Sequence, residues 1–302
     1  MATKVKLPRE DKVFYSITYT IVTLLTLSVF YPIIFVISSS FSSGWAVSTG
    51  QVVLWPVDAT VEGYRRVFLN KEIWLGFRNT LFYTFFGTLN NVMFTMFPAY
   101  PMSRADMPGR KLFTAFFLVS MYFGGGMIVM YVLFKDIGYL NTIWAILVPG
   151  SFSIYQMIVC RTFINSNLPN EMLEATQIDG CNDFRYFFTF VMPLSKAILA
   201  VMTLQFAVGH WNSYMAAHIY LTDRRLYPLQ SFLRQILVLS NIDPTQFAQL
   251  SETDAEELRK QQGIADIIKY ALIVISTAPV MCIYPFIQKY FVQGIMIGSL
   301  KG

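Results

Sequence analysis

Residues 171–194 read EMLEATQIDGCNDFRYFFTFVMPL and form a polar island between apolar runs that are each long enough to cross a bilayer. The island carries four acidic residues and is interrupted by one glycine, Gly180, and one proline, Pro193. A membrane protein that only anchors itself has no use for such an insert, whereas one that is pushed by a soluble partner needs a contact surface of this kind. The segment therefore predicts a membrane protein that a soluble partner moves.

The composition of the 302 residues is that of a protein with several membrane spans. Hydrophobic residues make up 55% of the chain and charged residues 14%, whereas soluble domains carry about 25% charged residues. The apolar residues are gathered in long runs, which places the chain in the polytopic membrane class. The net charge of +5 is typical of basic cytoplasmic loops beside anionic lipid. The sequence has no dense run of basic residues with interleaved aromatics, so it does not indicate a nucleic-acid partner.

The sequence lacks the motifs of an enzyme or a metal protein. Its three cysteines are an odd number scattered through or beside apolar segments, which argues against a disulfide framework. No Cys or His group has the spacing of a zinc site, and no catalytic arrangement is legible. No G-x-x-x-x-G-K-[ST] occurs, so the chain has no phosphate loop of its own for ATP. The glycine run 124–126 favours a close helix approach or a local break.

Six segments have the length and apolar content of a membrane span, which takes about 20 residues. Because the backbone must form its hydrogen bonds internally within lipid, all six are predicted to be helices. The predicted fold class is an all-α polytopic membrane protein with a single transmembrane domain over residues 1–302. The spans are predicted at about 13–38, 75–100, 112–133, 143–163, 194–214 and 267–286.

Basic residues predict the orientation of the spans. The N-terminal segment is rich in lysine and arginine, and such residues favour the cytoplasmic side. An even number of spans then places both termini in the cytoplasm, together with the loops 103–111 and 164–193. The loops 39–72 and 216–265 are predicted to lie outside and to form a small folded cap, with a short helix at 61–69 in the first. The acidic part of the second, SETDAEELRKQQG, is helix-prone, and it fits an ordinary solvated loop about as well as a docking role.

The polar island has the pattern of two short helices. Pro169 suits the first turn of the first helix, and Gly180 supplies its left-handed stop. Asn182 is a plausible cap for a second helix over 183–191, which Pro193 closes. Met172, Ala175 and Ile178 share roughly one apolar face, and the acidic residues remain exposed. This pattern fits a helix that docks in a soluble partner and an interfacial amphipathic helix without a partner about equally well.

The island also resembles the EAA loop of binding-protein-dependent ABC importer permeases. The family pattern is Glu-Ala-Ala, three residues, Gly and a downstream apolar-Pro pair, and here Glu174, Ala175, Gly180 and Pro193 match it. Thr176 replaces the second alanine and Cys181 stands where alanine is common, and both are small. The segments 206–214 (FAVGHWNSY) and 284–302 (YPFIQKYFVQGIMIGSLKG), with Asn79-Thr80, resemble the carbohydrate-uptake branch. The long second outer loop is similar to that of its oligosaccharide and polysaccharide subgroup, which includes alginate importers.

The resemblance implies a type I ABC importer permease in the inner membrane. Its expected partners are a second homologous permease subunit, two ATPase subunits that bind ATP and Mg²⁺, an external solute-binding protein and membrane lipid. In such permeases the EAA helix docks in the ATPase subunit, and the C-terminal tail reaches between the two ATPases. The residues that inherit a coupling role are Glu171, Glu174, Ala175, Asp179, Gly180, Arg185, Pro193, Lys301 and Gly302.

Polar and aromatic residues within the spans are candidates for the substrate path. Sugars are held by aromatic stacking and amide hydrogen bonds, and polar groups within spans are often functional. The alternative is that these side chains bond between helices and fix their packing, and we prefer that alternative for Asn90, Asn91 and His210. The path candidates are Tyr155, Gln156, Gln205, Trp211, Asn212 and Arg78.

The predicted function is the pore-forming subunit of an ATP-driven importer of a sugar, in particular an oligosaccharide. A secondary transporter driven by an ion gradient is one alternative, but it needs an ionisable residue deep within a span, and no acidic residue lies well inside any predicted span. A membrane scaffold that recruits a soluble enzyme is the other alternative. None of the three makes this chain an enzyme.

Overall fold

The computed structural model describes residues 8–239 and 252–299. Within these ranges the chain forms helices joined by turns and has no strand, in agreement with the predicted all-α class. The α-helices in these ranges are α1 Arg9–Ser40, α2 Gly44–Ser48, α3 Glu62–Leu69, α4 Lys71–Ser103, α5 Arg110–Tyr122, α6 Gly126–Asp136, α7 Trp144–Leu147, α8 Ile154–Asn167, α9 Asn170–Ile178, α10 Asp183–Tyr186, α11 Met192–Leu194, α12 Lys196–Trp211, α13 Met215–Tyr220, α14 Leu229–Leu239 and α15 Glu252–Ser299.

The chain divides into two compact units, and the first comprises Met1–Asn70 and Gln235–Ser276. Glycines bring α2 and α3 directly against α15 in this unit. A Cβ atom on Gly44 would lie 2.6 Å from the carbonyl carbon of Gly263, and one on Gly63 would lie 2.7 Å from the carbonyl oxygen of Ile267. Both distances are too short for a side chain, so the helices meet through bare backbone.

The second unit comprises Lys71–Arg234 and Thr277–Gly302, and helix α4 is its central element. Helices α8 and α12 pack along α4 around a core that contains Met96, Cys160 and Met202, with the Cys160 sulfur 3.5 Å from that of Met202. A second cluster joins α4, α6, α7 and α13 through residues such as Phe134 and Tyr220. Unbranched methionine fills irregular gaps between helices, and the sulfur-rich core of this unit is of that kind.

The third predicted span, 112–133, is broken. Helix α5 ends at Tyr122 and α6 begins at Gly126, with the two axes bent by 106°. Gly126 has φ +75°, a left-handed conformation that glycine adopts without strain. Of the two outcomes anticipated for the glycine run, the local break is the one that forms.

The prediction of one continuous helix over 143–163 is wrong. Helix α7 ends at Leu147, and α8 begins only at Ile154, where the Ser153 hydroxyl caps it. Pro149 cannot donate a helical hydrogen bond, and Gly150 follows it with φ +73°. These two residues outweigh the apolar content of the segment, and α8 is left with 14 residues.

The remaining predicted spans lie within or overlap the long helices. Residues 13–38 fall in α1, residues 75–100 in α4 and residues 267–286 in α15, while α12 covers most of 194–214. In the described part of the chain, two helices, Arg9–Ser40 and Gln262–Pro285, are long and apolar enough to cross a membrane. If each of two bent helix pairs is counted as one span, that number rises to at most four, so the count of six spans stays a prediction.

Residues 252–265, assigned to the second large loop, are helical, as their helix-prone acidic sequence predicts. Helix α15 begins at Glu252 and runs without interruption through the predicted sixth span. Glutamate, lysine, glutamine and alanine are strong helix formers, so DAEELRKQQ continues the apolar helix toward its N-terminus. The predicted short helix at 61–69 in the first loop is confirmed by α3.

Candidate functional site

The polar island folds as a short helix followed by a tight reversal. Helix α9 covers Asn170–Ile178 and has Pro169 as its N-cap. Gly180 then adopts φ +77°, the left-handed stop that the sequence predicts. The side chain of Asn182 caps α10 by accepting a hydrogen bond from the backbone N–H of Arg185 at 2.8 Å. The predicted cap, stop and helix are all present.

The second helix of the island departs from the regular helix predicted for 183–191. Helix α10 ends at Tyr186, and Phe187–Val191 form a π-helical turn before α11. Pro193 has no N–H to donate and its ring clashes with the carbonyl four residues earlier, so a wider turn suits this sequence better than an α-helix. The chain then bends by 81° between Asp183–Leu194 and Lys196–Trp211.

The three residues predicted to share one apolar face of α9 divide between two sides of the helix. Met172 and Leu173 pack against the core of the second unit. Ala175 is exposed, and Ile178 is 86% exposed. At about 100° per residue, Met172 and Ile178 lie roughly 120° apart around the helix, so they do not share a buried side. The outward face therefore combines acidic groups with an apolar side chain.

The outward face contains most of the predicted coupling residues. Glu171, Glu174 and Asp179 are exposed on or directly after α9, Gly180 ends that helix, and Arg185 is exposed on α10. Glu174 also lines a cavity of about 260 Å³ beneath α9, with Gln177 and Tyr186 among its other walls. Lys301 and Gly302 lie outside the described residues.

Arg104 ties the island to the end of α4. Its Nη1 donates to the Asp183 carboxylate and, at 3.2 Å, to the Tyr100 hydroxyl, and its Nε donates to Asp106 Oδ1 at 2.9 Å. The Arg104 side chain is only 13% exposed. Hydrogen bonding to Asp106 raises the pKa of the guanidinium, and the same bond lowers the pKa of the Asp106 carboxyl. Arg104 is thus a permanently charged junction between α4, its following loop and α10.

The sequence gives no signal for this junction. In the sequence, Arg104 is one of three positive charges in the segment 103–111, SRADMPGRK. Its partner Asp183 is 79 positions away in the chain, and no short-range pattern links residues at that separation. They come together because α8 and α9 bring the chain back to the end of α4, where Tyr100 and Arg104 line one cavity with residues of α9.

The six path candidates do not form one cluster. Gln156 of α8 donates a hydrogen bond to the Gln205 side chain of α12, and the neighbouring Tyr155 is 60% exposed. Trp211 is 5% exposed, with its ring centroid 5.9 Å from that of Phe77 in an edge-on arrangement. Asn212 and Arg78 are exposed. The amide pair and Tyr155 therefore lie close together, whereas the Trp211 ring is buried against Phe77.

The asparagines and the histidine assigned to packing do bond between helices. His210 Nε2 lies 3.0 Å from Asn91 Oδ1, and Asn91 Nδ2 donates to the Gly150 carbonyl at 2.6 Å. Asn90 Nδ2 donates to Ser151 Oγ at 2.8 Å. These bonds join α12, α4 and the segment between α7 and α8, so the packing interpretation is confirmed.

Comparison with known proteins defines the class of this chain. Residues 73–297 match the family model described as binding-protein-dependent transport system inner membrane component. The matched range contains all but the first two residues of α4, the whole polar island and α12. The chain therefore belongs to this family of membrane subunits of transporters that work with a binding protein.

Individual relatives cover almost the whole chain. Protein LplC of Bacillus subtilis (strain 168) is 34% identical over 90% of this chain and 89% of its own length. The polygalacturonan/rhamnogalacturonan transport system permease protein YtcP of the same strain is 33% identical over 97% of this chain and 100% of its own length. A solved bacterial ABC transporter involved in the import of the acidic polysaccharide alginate contains a chain with TM-score 0.84 and 32% identity, covering 95% of this chain and 100% of that chain.

Family membership settles the broad role of the protein. It is a permease subunit and not an enzyme, since the ATPase of these transporters is a separate subunit. An ATPase and a substrate-binding protein are its partners in general terms, and its place is the inner membrane. The ion-gradient transporter and the scaffold are not favoured.

Proposed function

We propose that this chain is the pore-forming permease subunit of an ATP-driven importer that carries an oligosaccharide across the inner membrane by alternating access. A second homologous permease subunit completes the pore, two ATPase subunits bind ATP and Mg²⁺, and an external binding protein delivers the solute. Both termini and the island 164–193 lie on the cytoplasmic side. Helix α9 is the element through which the ATPases act.

The exposed face of α9 is the observation that carries this proposal. Glu171, Glu174 and Asp179 offer carboxylates, and Ile178, at 86% exposure, offers an apolar side chain beside them. Burying Ile178 on a partner contributes about 2 kcal/mol to the free energy of binding. Carboxylates that pair with basic residues at the rim of the contact fix the orientation of the partner more than they raise its affinity. A basic-rimmed apolar cleft on a soluble subunit complements both features.

The attachment of α9 explains how a push reaches the pore. Met172 and Leu173 seat the helix on the core that α4, α8 and α12 share. Arg104 holds α10 to the end of α4, and the chain continues through Pro193 into α12. ATP drives the cycle only because the two states of the pore bind their partners with different affinity. In the proposed mechanism, α9 is the contact with the ATPases through which that difference acts on the pore.

Glu174→Lys tests the coupling role. In the assembled transporter reconstituted in vesicles, we expect the variant to abolish ATP-dependent uptake and to weaken association with the ATPase, because a cation replaces the carboxylate that faces the cleft. Asp136→Lys, which makes the same charge change at the exposed end of α6, is the matched control and should transport normally. Normal uptake by Glu174→Lys is incompatible with the proposal.

The names of the relatives support an oligosaccharide as the solute. YtcP is named for polygalacturonan and rhamnogalacturonan, and the solved neighbour imports the acidic polysaccharide alginate. For this chain we propose that Tyr155 and the Gln156–Gln205 pair contact the sugar, through ring stacking and amide hydrogen bonds respectively. Gln205→Ala should lower uptake while leaving ATPase association intact, whereas an unchanged uptake rate assigns the pair to packing.

The energy source can be tested in the same vesicles. Uptake of acidic and of neutral oligosaccharides is measured with ATP and both partners present, and again with only a proton or sodium gradient. We expect uptake in the first condition alone. Uptake on an ion gradient without ATP contradicts the importer assignment.

A further inference from the structure

A basic cavity lies between the start of α5 and the middle of α8, apart from α9 and from the path candidates. Its volume is about 800 Å³, and its charged walls are Arg110, Lys111 and Arg161. In the described part of the chain, none of these three side chains forms an ion pair with a carboxylate. Arg110 Nη1 donates a hydrogen bond to the Arg104 carbonyl at 3.2 Å.

The position of the three cations is unfavourable without an anion. Arg110 and Lys111 occupy the first turn of α5, which has no acidic residue and no side-chain cap. The N-terminal end of a helix carries partial positive charge, so cations there are destabilising and an anion is favoured. Arg161 adds a third positive charge from α8. The rings of Phe117 and Phe152, whose centroids are 5.4 Å apart, hold α5 near the start of α8.

An apolar track leads away from the charged end. Thr114 and Leu118 follow Arg110 at intervals of four residues and line the same cavity with Ala115, so they lie on one face of α5. The Thr114 hydroxyl donates a hydrogen bond to the Arg110 carbonyl at 2.8 Å. Because that hydroxyl is already bonded within the helix, the face is largely apolar. Eight residues of helix rise about 12 Å, the length of a substantial part of an acyl chain.

We propose that this cavity binds a phospholipid, with the headgroup phosphate held by Arg110, Lys111 and Arg161 and an acyl chain lying along Thr114, Ala115 and Leu118. Arginine binds phosphate through two parallel hydrogen bonds, and the pair of arginines on two helices can hold one phosphate from both sides. An anionic headgroup is preferred over a zwitterionic one because the cavity carries three positive charges. A bound lipid fixes the spacing of α5 and α8 next to the polar island.

The test measures lipid retained by the purified, assembled transporter. The complex is delipidated and titrated separately with phosphatidylglycerol, phosphatidylcholine and inorganic phosphate, and bound species are counted by native mass spectrometry. We compare the wild type with Lys111→Gln/Arg161→Gln and with the control Lys71→Gln/Lys135→Gln, which removes the same charge at exposed helix ends. Arg161→Lys keeps the positive charge, so retained binding by this variant shows that a change of side chain at residue 161 does not by itself abolish lipid binding through misfolding.

We expect saturable phosphatidylglycerol binding in the wild type, in the control and in Arg161→Lys. Each cation removed near an anionic headgroup lowers affinity about fivefold, so binding to Lys111→Gln/Arg161→Gln should fall by roughly 25-fold. Equal retention by this variant and the control overturns the proposal. Displacement of the lipid by millimolar inorganic phosphate, or equal affinity for phosphatidylcholine, overturns it as well.

Discussion

Gly87 shows how single residues decide the packing of the second unit. A Cβ atom at this position would lie 2.5 Å from the imidazole of His210, so only glycine lets α4 and α12 approach closely enough for the His210–Asn91 hydrogen bond. The absence of a side chain on one helix thus makes room for a polar contact from the other. Neither residue touches the island, yet both determine where α12 lies.

We therefore expect Gly87→Ala to destabilise the protein. Overpacking of a tight contact costs about 1–3 kcal/mol, which exceeds the gain in helix propensity of about 1 kcal/mol. Gly209→Ala in α12 is the matched control, because a Cβ there meets nothing within 4 Å, and it should be neutral or stabilising. Thermal unfolding of both purified variants measures the difference, and equal unfolding temperatures would contradict the contact.

Arg104 gives a prediction with a defined pH dependence. The pKa of Asp106 is lowered by its hydrogen bond with Arg104, so this pair stabilises the fold above the ordinary aspartate pKa of about 4 and loses its effect as the pH falls below it. Arg104→Gln should lower the unfolding temperature at neutral pH, by the equivalent of about 1 kcal/mol or less for so exposed a carboxylate. The difference from wild type should shrink below about pH 4; a difference that is constant with pH would assign Arg104 a packing role only.

At the scale of the helices, breaks matter as much as spans. Helices α5 and α6 meet at 106°, and the left-handed Gly126 makes that corner. Gly126→Ala should cost about 1–2 kcal/mol, because a Cβ clashes with the backbone in this conformation. Gly124→Ala is the control, since Gly124 has no positive φ and, like Gly126, leaves open space for a Cβ. Equal unfolding temperatures of the two variants would show that the corner does not need this conformation.

The elements differ in how far the sequence could predict them. Helix α9, its stop at Gly180 and the cap at Asn182 depend on local backbone chemistry, and they were predictable residue by residue. The gap between α7 and α8 was missed because hydropathy weighs composition and ignores the hydrogen bond that Pro149 removes. The Arg104–Asp183 contact could not be predicted, since it depends on tertiary packing across 79 positions.

For the molecule as a whole, one chain of contacts links α9 to the pore helices. Under the proposed function, the outward acidic and apolar surface of α9 receives the partner. The core under Met172 and Leu173 supports α9, and Arg104 and the Pro193 bend connect it to α4 and α12. Family membership supplies the class of partner, and we propose that α9 is the place where that partner acts.

The most direct test is disulfide cross-linking from α9 to the ATPase in the assembled transporter. Ile178→Cys is introduced after replacement of Cys160, Cys181 and Cys282, and Trp55→Cys, 80% exposed in the loop 39–72, serves as the control. With single cysteines placed along the proposed cleft of the ATPase, we predict a cross-link to residue 178 whose yield changes when ATP is added, and none to residue 55. If residue 178 forms no cross-link, or is labelled from outside intact cells by a membrane-impermeant thiol reagent, the coupling role of α9 is contradicted.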